Sequence, residues 1–220
     1  MSADPTLLAT SSANVSPQPR ASQRGEPTWE LAQVYPIQGE WTEDDYLALN
    51  LSCLVELSDG CLEFPAMPTL LHQFIVRMLF RLLDAFVSAQ ALGEVLLAPL
   101  PVRLFPGKVR EPDIVFLKPE RLRHSPKYPQ GADLVIEVVS ADAKDRKRDL
   151  EIKPREYARA NIAEYWIVDP ELRQITVLTL DGQAYREHGK FGAGSVATSV
   201  LLAGFSVAVD AVFAAGPANP

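Results

Sequence analysis

The sequence predicts one α/β domain in which a mixed sheet carries helices on its faces. Short runs rich in aliphatic and β-branched residues recur between residues 94 and 180, and such runs are typical of buried strands. The apolar segment at 69–93 has the length of a helix rather than a strand. A helical pattern at 154–162 separates two of the strand-like runs. Together these patterns favour helices layered on a sheet.

Composition limits the classes of protein to which the chain can belong. Its 220 residues are 47% hydrophobic, which is enough for one sizeable core. The net charge of −7 argues against a protein that coats nucleic acid, although it leaves room for a local basic groove. No apolar run reaches the about 18 residues that span a bilayer, and the N-terminus is a poor signal peptide. We therefore expect a cytoplasmic protein without a membrane segment.

The two ends of the chain differ from its middle. Residues 1–28 are rich in Ser, Ala, Pro and Gln and predict a disordered arm. Residues 29–213 carry the predicted domain, and 214–220 predict a frayed tail. Cys53 and Cys61 flank a predicted hairpin whose register keeps their thiols apart, so no disulfide is expected.

The predicted elements follow in chain order. A short helix begins after Thr42, with acids in its first turn. A hairpin turns at Asp59-Gly60, and the long helix runs from Thr69 to a stop at Gly93. The strand-like runs are "EVLLAPLPVRLF", "DIVFL", "DLVIEVVS", "EYWIVD" and "QITVLTL". A second hairpin leads to "QAYREH", and "LLAGFSVAVDAVF" closes the domain.

Two carboxylates stand in or beside these apolar strands. Glu137 lies inside "LVIEVVS", where an unpaired ionised group would cost several kcal/mol. Asp113 follows a proline at the head of "DIVFL". If the two strands are neighbours, the acids could converge, and a divalent cation would relieve their repulsion. Oxygen ligands with retained waters favour Mg²⁺ or Mn²⁺.

Lys153 is the candidate base beside this pair. It lies three residues after Leu150 and four before Tyr157, a helical spacing that would place it on their stripe, facing the sheet. A lysine near a metal-bound water could position it, help deprotonate it or stabilise phosphoryl charge.

At this level the chain resembles a known family. The motifs "VELSDG", "EPDIVFL", "DLVIEVVS", "RDLEIK…Y" and "EYWIVDP", over about residues 40 to 210, are similar to those of the Uma-two family of restriction endonucleases. That family belongs to the PD-(D/E)XK nuclease superfamily. The resemblance implies a restriction-endonuclease-like α/β fold, with a central mixed β-sheet flanked by helices and an N-terminal β-hairpin.

The resemblance also assigns roles to particular residues. Asp113 and Glu137 match the two acidic metal ligands, with the carbonyl of Val138 as a third candidate ligand. Lys153 matches the family lysine. The remaining matches are an additional acid in the first hairpin and a frequent histidine at the start of the long helix, namely Glu56 and His72. Glu56 is expected to assist catalysis through a second metal or a water, with His72 as an auxiliary residue.

The chain departs from the pattern at two positions. Val139 stands where the superfamily usually has its lysine, and Pro154 follows Lys153. Because proline pushes its predecessor out of the α region, the helix could begin at Pro154 and leave Lys153 in the entry loop.

Each candidate has a structural alternative. Asp113 could simply cap its strand, Glu137 could pair with a buried base, and Lys153 or His72 could be solvated. The predicted register places Glu56 opposite Glu63, so either that face is wet or a cation or basic group lies above it. The run Lys144, Arg146, Lys147 and Arg148 could be a solvated loop or could hold phosphates.

These observations favour a magnesium-dependent endonuclease that hydrolyses phosphodiester bonds, with DNA as the expected substrate. The resemblance adds the expectation of a homodimer. The alternatives are a catalytically degenerate nuclease fold that binds DNA or acts as a scaffold, and an enzyme that cleaves RNA with the same site.

Overall fold

The computed structural model describes residues 34–49, 53–124 and 127–216. The predicted arm at 1–28 and residues 217–220 of the predicted tail lie outside these ranges. Contacts group the chain from Ile37 onward into one unit. Within the described ranges, no helix combines the length and the apolarity that crossing a membrane requires.

The described strands fall into three sheets. In chain order they are β1 Glu56–Ser58, β2 Cys61–Glu63, β3 Glu94–Leu97, β4 Val102–Phe105, β5 Lys108–Arg110, β6 Ile114–Leu117, β7 Leu134–Val138, β8 Glu164–Asp169, β9 Gln174–Asp181, β10 Ala184–Phe191, β11 Val196–Thr198 and β12 Ser206–Ala208. The central sheet has the order β10-β9-β8-β7-β6-β3, and a smaller sheet has the order β2-β1-β5-β4. Strands β11 and β12 form a separate pair.

Helices lie against both of the larger sheets. They are α1 Glu43–Ala48, α2 Leu70–Ala89, α3 Pro119–Arg123, α4 Ala143–Lys147, α5 Lys153–Arg159 and α6 Val209–Phe213, with a π-helical turn at Arg148–Ile152 between α4 and α5. One core cluster joins the buried face of α2 to Trp166 and the sheet, and another includes Tyr157 of α5 together with Tyr165. Strands β7 and β8 are parallel while their outer neighbours are antiparallel, so the predicted mixed sheet with flanking helices is confirmed.

The first hairpin has the predicted register, with Glu56 opposite Glu63 and Ser58 opposite Cys61. It belongs to the small sheet, because β1 also pairs with β5, a strand that the sequence pattern did not indicate. The short β5 segment is rich in basic residues and so lacks an apolar strand signature. Cys53 and Cys61 are both free thiols.

Two predicted boundaries are wrong. The run "EVLLAPLPVRLF" is two strands in two sheets, because Pro99 and Pro101 interrupt it and cannot donate ladder hydrogen bonds. The long helix ends at Ala89 rather than at Gly93. Gly93 has a φ of +148°, and a Cβ there would lie 2.1 Å from the carbonyl oxygen of Leu117, so it marks a close approach of two backbones.

The segment before Pro154 is a widened helix rather than an entry loop. The Lys153 N–H donates to the carbonyl of Arg148, five residues back, and Lys153 has φ −56° and ψ −38°. Lys153 therefore begins α5 in the helical region, contrary to the expectation from Pro154. The predicted stripe holds for Tyr157, which is buried, but fails for Leu150, which is 37% exposed because the π-turn shifts the register.

Candidate active site

The two predicted acids lie at neighbouring positions of adjacent strands. Strands β6 and β7 pair antiparallel with Ile114 opposite Ile136. Asp113 directly precedes Ile114 and Glu137 directly follows Ile136, so both acids lie just beyond the end of this ladder. Both acids line one cavity of about 910 Å³, and Asp113 Oδ2 accepts a 2.8 Å hydrogen bond from the Val138 N–H.

Glu137 is paired inside the protein with a base and a phenol. The Lys153 ammonium lies 2.7 Å from Glu137 Oε1, and the Tyr157 hydroxyl donates to the same oxygen at 2.5 Å. All three side chains are buried. The buried pairing that was the structural alternative for Glu137 is therefore present, and it uses the same lysine as the catalytic interpretation.

Lys153 is surrounded by further carboxylates. Its Nζ lies 3.1 Å from Asp149 Oδ1 and 3.7 Å from Glu56 Oε1. Burial opposes its charge, but Asp149, Glu137 and Glu56 outweigh burial and raise the pKa of Lys153. Among the residues that the structure describes, Lys153 is thus a charged buried ammonium and not a solvated one.

Glu56 is 1% exposed and lies between basic groups. Its Oε2 is 2.8 Å from Arg110 and 3.7 Å from Arg148, and its Oε1 accepts the Glu111 N–H at 3.2 Å. Burial raises the pKa of Glu56, but Lys153, Arg110 and Arg148 lower it to about 2. Glu56 is therefore an ionised partner of the site's bases.

Arg110 explains how two glutamates can face each other in the first hairpin. It is fully buried and lies 2.8 Å from Glu56, 2.5 Å from Glu63 and 2.8 Å from Glu156. The sequence left open either a wet face or a cation or basic group above the pair. Arg110 from β5 is that basic group.

His72 lies beside the first acid. Its Nε2 is 3.3 Å from Asp113 Oδ2, and its buried Nδ1 has no hydrogen-bond partner among the described residues. Burial lowers the pKa of His72, but Asp113, Glu137 and a hydrogen bond to the Val138 backbone raise it above its usual value. His72 thus lies beside Asp113, one of the predicted metal ligands.

The predicted basic run divides into two parts. Arg146 pairs with Asp169 at 2.5 Å, and Arg148 is buried 3.1 Å from Asp145. Lys144 and Lys147 are exposed. The exposed lysines alone present their charge to solvent, so the run is not a uniform phosphate-binding patch.

The donor set fits a cation held by two carboxylates, a backbone carbonyl and waters. Among the described residues no hydrogen bond ends on Asp113 Oδ1 or Glu137 Oε2, so each acid keeps one oxygen for a ligand. Burial raises the pKa of Glu137 to about 7, with Lys153 opposing and Asp113, Asp149 and Glu56 adding to the rise. A bound cation would stabilise the ionised form of Glu137. Within the described ranges, no three His, Cys, Asp or Glu side chains converge as a ready-made metal cluster.

Three contacting residues had no assigned role in the sequence interpretation. Asp149 holds Lys153, Tyr157 holds Glu137, and Arg110 holds Glu56. The spacing of Asp149 to Lys153, four residues, was a usable signal of helical contact. The contact of Arg110 with Glu56 spans 54 residues and has no local signature.

Comparisons with known proteins bear on the family and the fold. The model of the Uma-two family, described as "Putative restriction endonuclease", matches residues 43–210. A solved structure from Anabaena variabilis ATCC 29413, described as "a putative nuclease belonging to DUF820", superposes with a TM-score of 0.66 at 16% identity, covering 80% of this chain and 98% of that chain. No curated protein matches the sequence significantly.

The fold and the family together define a restriction-endonuclease-like nuclease class. Because the family model matches more than half of the chain, this protein belongs to the Uma-two family. The resemblance inferred from the motifs is thereby confirmed, while the roles of individual residues stay predictions.

Proposed function

We propose that this protein is a divalent-cation-dependent endonuclease that hydrolyses phosphodiester bonds in DNA. The observation that carries the proposal is the joint placement of Asp113, Glu137 and Lys153 around one cavity, with Lys153 Nζ 2.7 Å from Glu137. A buried and a partly buried acid with an adjacent ammonium suit metal-assisted hydrolysis more than simple binding.

Asp113, Glu137 and the carbonyl of Val138 would hold Mg²⁺ or Mn²⁺. When bound, such an ion lowers the pKa of a coordinated water and neutralises charge on the scissile phosphate. Lys153 orients the attacking water and places positive charge near the phosphoryl oxygens. Tyr157 supports Glu137 by donating a hydrogen bond to Oε1. Glu56 supports Lys153 from the opposite side.

The charge of the cavity supports dependence on a cation. Two bases, Arg148 and Lys153, and the histidine His72 face seven acids, which are Glu56, Glu111, Asp113, Glu137, Asp145, Asp149 and Glu171. A phosphate entering without a counterion would meet net repulsion. The same reasoning disfavours a degenerate module that binds DNA through this cavity.

The test is cleavage of plasmid DNA and of structured RNA in the presence of Mg²⁺, Mn²⁺ or EDTA. We expect DNA cleavage that EDTA abolishes and that falls by two or more orders of magnitude, ~10²-fold at least, in Asp113→Asn. The matched control is Asp181→Asn at the end of β9, where the side chain is 74% exposed and lies 3.8 Å from Arg186.

The outcomes separate the candidate functions. Cleavage of RNA alone would transfer the proposal to RNA. Binding of nucleic acid without cleavage under every ion would replace it by the degenerate module. Equal activity in Asp113→Asn and wild type would exclude the proposed centre.

A further inference from the structure

Three carboxylates from three separate elements compete for one buried ammonium. Lys153 Nζ contacts Glu137 of β7 at 2.7 Å, Asp149 of the π-turn at 3.1 Å and Glu56 of β1 at 3.7 Å. An ammonium group has three N–H donors. Among the described residues only the contact with Glu137 is a directed hydrogen bond, whereas Asp149 and Glu56 hold the ammonium as ion-pair partners.

Asp149 is fixed in place by the widened turn. Its carbonyl accepts a 3.0 Å hydrogen bond from the Tyr165 hydroxyl, and its side chain is 4% exposed. Its buried Oδ1 makes no directed hydrogen bond within the described ranges, so its contact with Lys153 is an ion pair. No other basic group of those ranges lies within ion-pair distance of this carboxylate.

The negative charge of Glu137 would serve two positive partners. It neutralises Lys153 in the structure, and in the proposed function it would also ligate a cation. A carboxylate drawn toward a divalent ion loosens its hold on a neighbouring ammonium, which then needs another anion because burial disfavours its charge. Asp149, whose Oδ1 lies 3.1 Å from Lys153 Nζ, is close enough to be that anion.

We propose that Asp149 is a positioning residue that retains the Lys153 ammonium in the cavity while Glu137 turns toward a divalent cation. This exchange releases one lysine N–H toward the attacking water. The inference rests on the proposed function, because it requires that Glu137 binds a cation. It goes further in giving a role to a residue outside the predicted acid-acid-lysine set.

The exchange makes Asp149 an aid to cation binding. In Asp149→Asn the ammonium loses one anion and holds Glu137 more firmly, so we expect Mn²⁺ affinity to fall by roughly tenfold or more, the size typical of outer-sphere partners. Asp149→Glu keeps the charge and should retain most of the affinity. In a Lys153→Gln background, Asp149→Asn should have little effect, because no ammonium remains to be shared.

The measurement is calorimetric titration of the full chain with Mn²⁺ at one ionic strength and one mildly alkaline pH. The matched control is Asp145→Asn. Asp145 is equally buried at 4% and lines the same cavity, but it pairs with Arg148 at 3.1 Å instead of Lys153. Both substitutions remove one negative charge from the same helical segment, so their difference isolates the contact with Lys153.

The results distinguish the two proposals. Wild-type protein that binds no Mn²⁺ would overturn the proposed function. Wild-type binding with equal losses in Asp149→Asn and Asp145→Asn, or an undiminished loss in the Lys153→Gln background, would overturn the role of Asp149 alone. If Asp149→Asn does not fold, Lys153→Gln still decides: it should bind Mn²⁺ at least as tightly as wild type, and weaker binding would contradict the exchange.

Discussion

Glu137 is a carboxylate in the middle of an apolar strand. Lys153 and Tyr157 meet one of its oxygens, which is how the strand tolerates it. The compensation is incomplete, since burial and the neighbouring acids raise the pKa of Glu137 to about 7. The residue is therefore suited to a cation as a further partner.

The pKa of Glu137 predicts how pH and Mg²⁺ act together. Its folded-state pKa lies above the ordinary 4.5, so folding favours the protonated form and stability from this group falls as pH rises from about 4.5 to about 7. A cation needs the ionised form. We expect Mg²⁺ to raise the melting temperature more above that pKa than well below it, as measured by calorimetry. Glu137→Gln should remove the effect, and a pH-independent Mg²⁺ shift would contradict the assignment.

Glu56 predicts the opposite pH dependence. Its pKa is lowered from 4.5 to about 2, so its contribution is present above about 4.5 and is lost as pH falls toward 2. Glu56→Gln should lower the free energy of unfolding by about 3 kcal/mol at neutral pH, with a difference that shrinks in acid. Urea denaturation across pH measures this.

Glu63→Gln is the control for Glu56, since Glu63 contacts the same Arg110 but is 28% exposed. Its loss of stability should be clearly smaller. Equal losses in the two variants would mean that the burial of Glu56 does not matter.

At the scale of elements, the π-turn reconciles Lys153 with the proline that follows it. Pro154 has no N–H to donate to the carbonyl four residues back, and the turn before it is already widened to a five-residue spacing. That widening places Asp149 and Lys153 together on the buried side while Leu150 faces outward. The sequence showed that Pro154 would disturb the helix, but it did not show that the turn before Lys153 would widen.

Whether a contact of the site could be predicted depends on how far apart its two residues lie in the sequence. Asp113, Glu137 and Lys153 stand in local patterns, namely two strand runs and a helix, and the structure brings them to one cavity. The contacts of Arg110 with Glu56 and Glu156 cross 54 and 46 residues. No local pattern encodes them, which is why β5 and the small sheet were not predicted.

Glu164 shows a second long-range contact of this kind. This fully buried carboxylate accepts hydrogen bonds from four donors, which are Trp166 Nε1, Ser199 Oγ, Val200 N and Leu201 N. It ties β8 to the segment before β12. The acid at the start of "EYWIVD" gave no hint of that role.

We expect Glu164→Gln to lower the free energy of unfolding by about 2 to 3 kcal/mol, because an amide nitrogen would face backbone donors and the charge-assisted bonds would be lost. Chemical denaturation measures the change. Glu171→Gln, at a half-exposed side chain, is the control and should change little. Similar values for the two variants would refute the role of Glu164.

At the scale of the whole molecule, the charge distribution limits how nucleic acid can bind. The net charge is −7, and Arg146 and Arg148 are engaged by internal acids. Lys144 and Lys147 remain exposed beside the cavity-lining residues of the same segment. Contacts to the phosphate backbone should therefore be few, so the affinity for DNA should depend only weakly on salt concentration.

Substitution of the exposed lysines tests that conclusion. Lys144→Gln and Lys147→Gln should each reduce the slope of log affinity against log salt concentration by about 1, measured by fluorescence anisotropy with a labelled duplex. Arg146→Gln is the comparison, since its charge is held by Asp169, and it should change stability more than the salt slope. A larger slope change in Arg146→Gln would show that the ion pair opens to bind phosphate.

The outer edge of the central sheet has a consequence for association. Strand β10 carries Arg186, Glu187 and Lys190 along an exposed edge, and its register shifts between Glu187 and Gly189. Charges and an irregular backbone prevent a foreign strand from docking there in continuous ladder fashion. Polymerisation through β10 is thus discouraged, and two copies that associate would have to meet on some other surface.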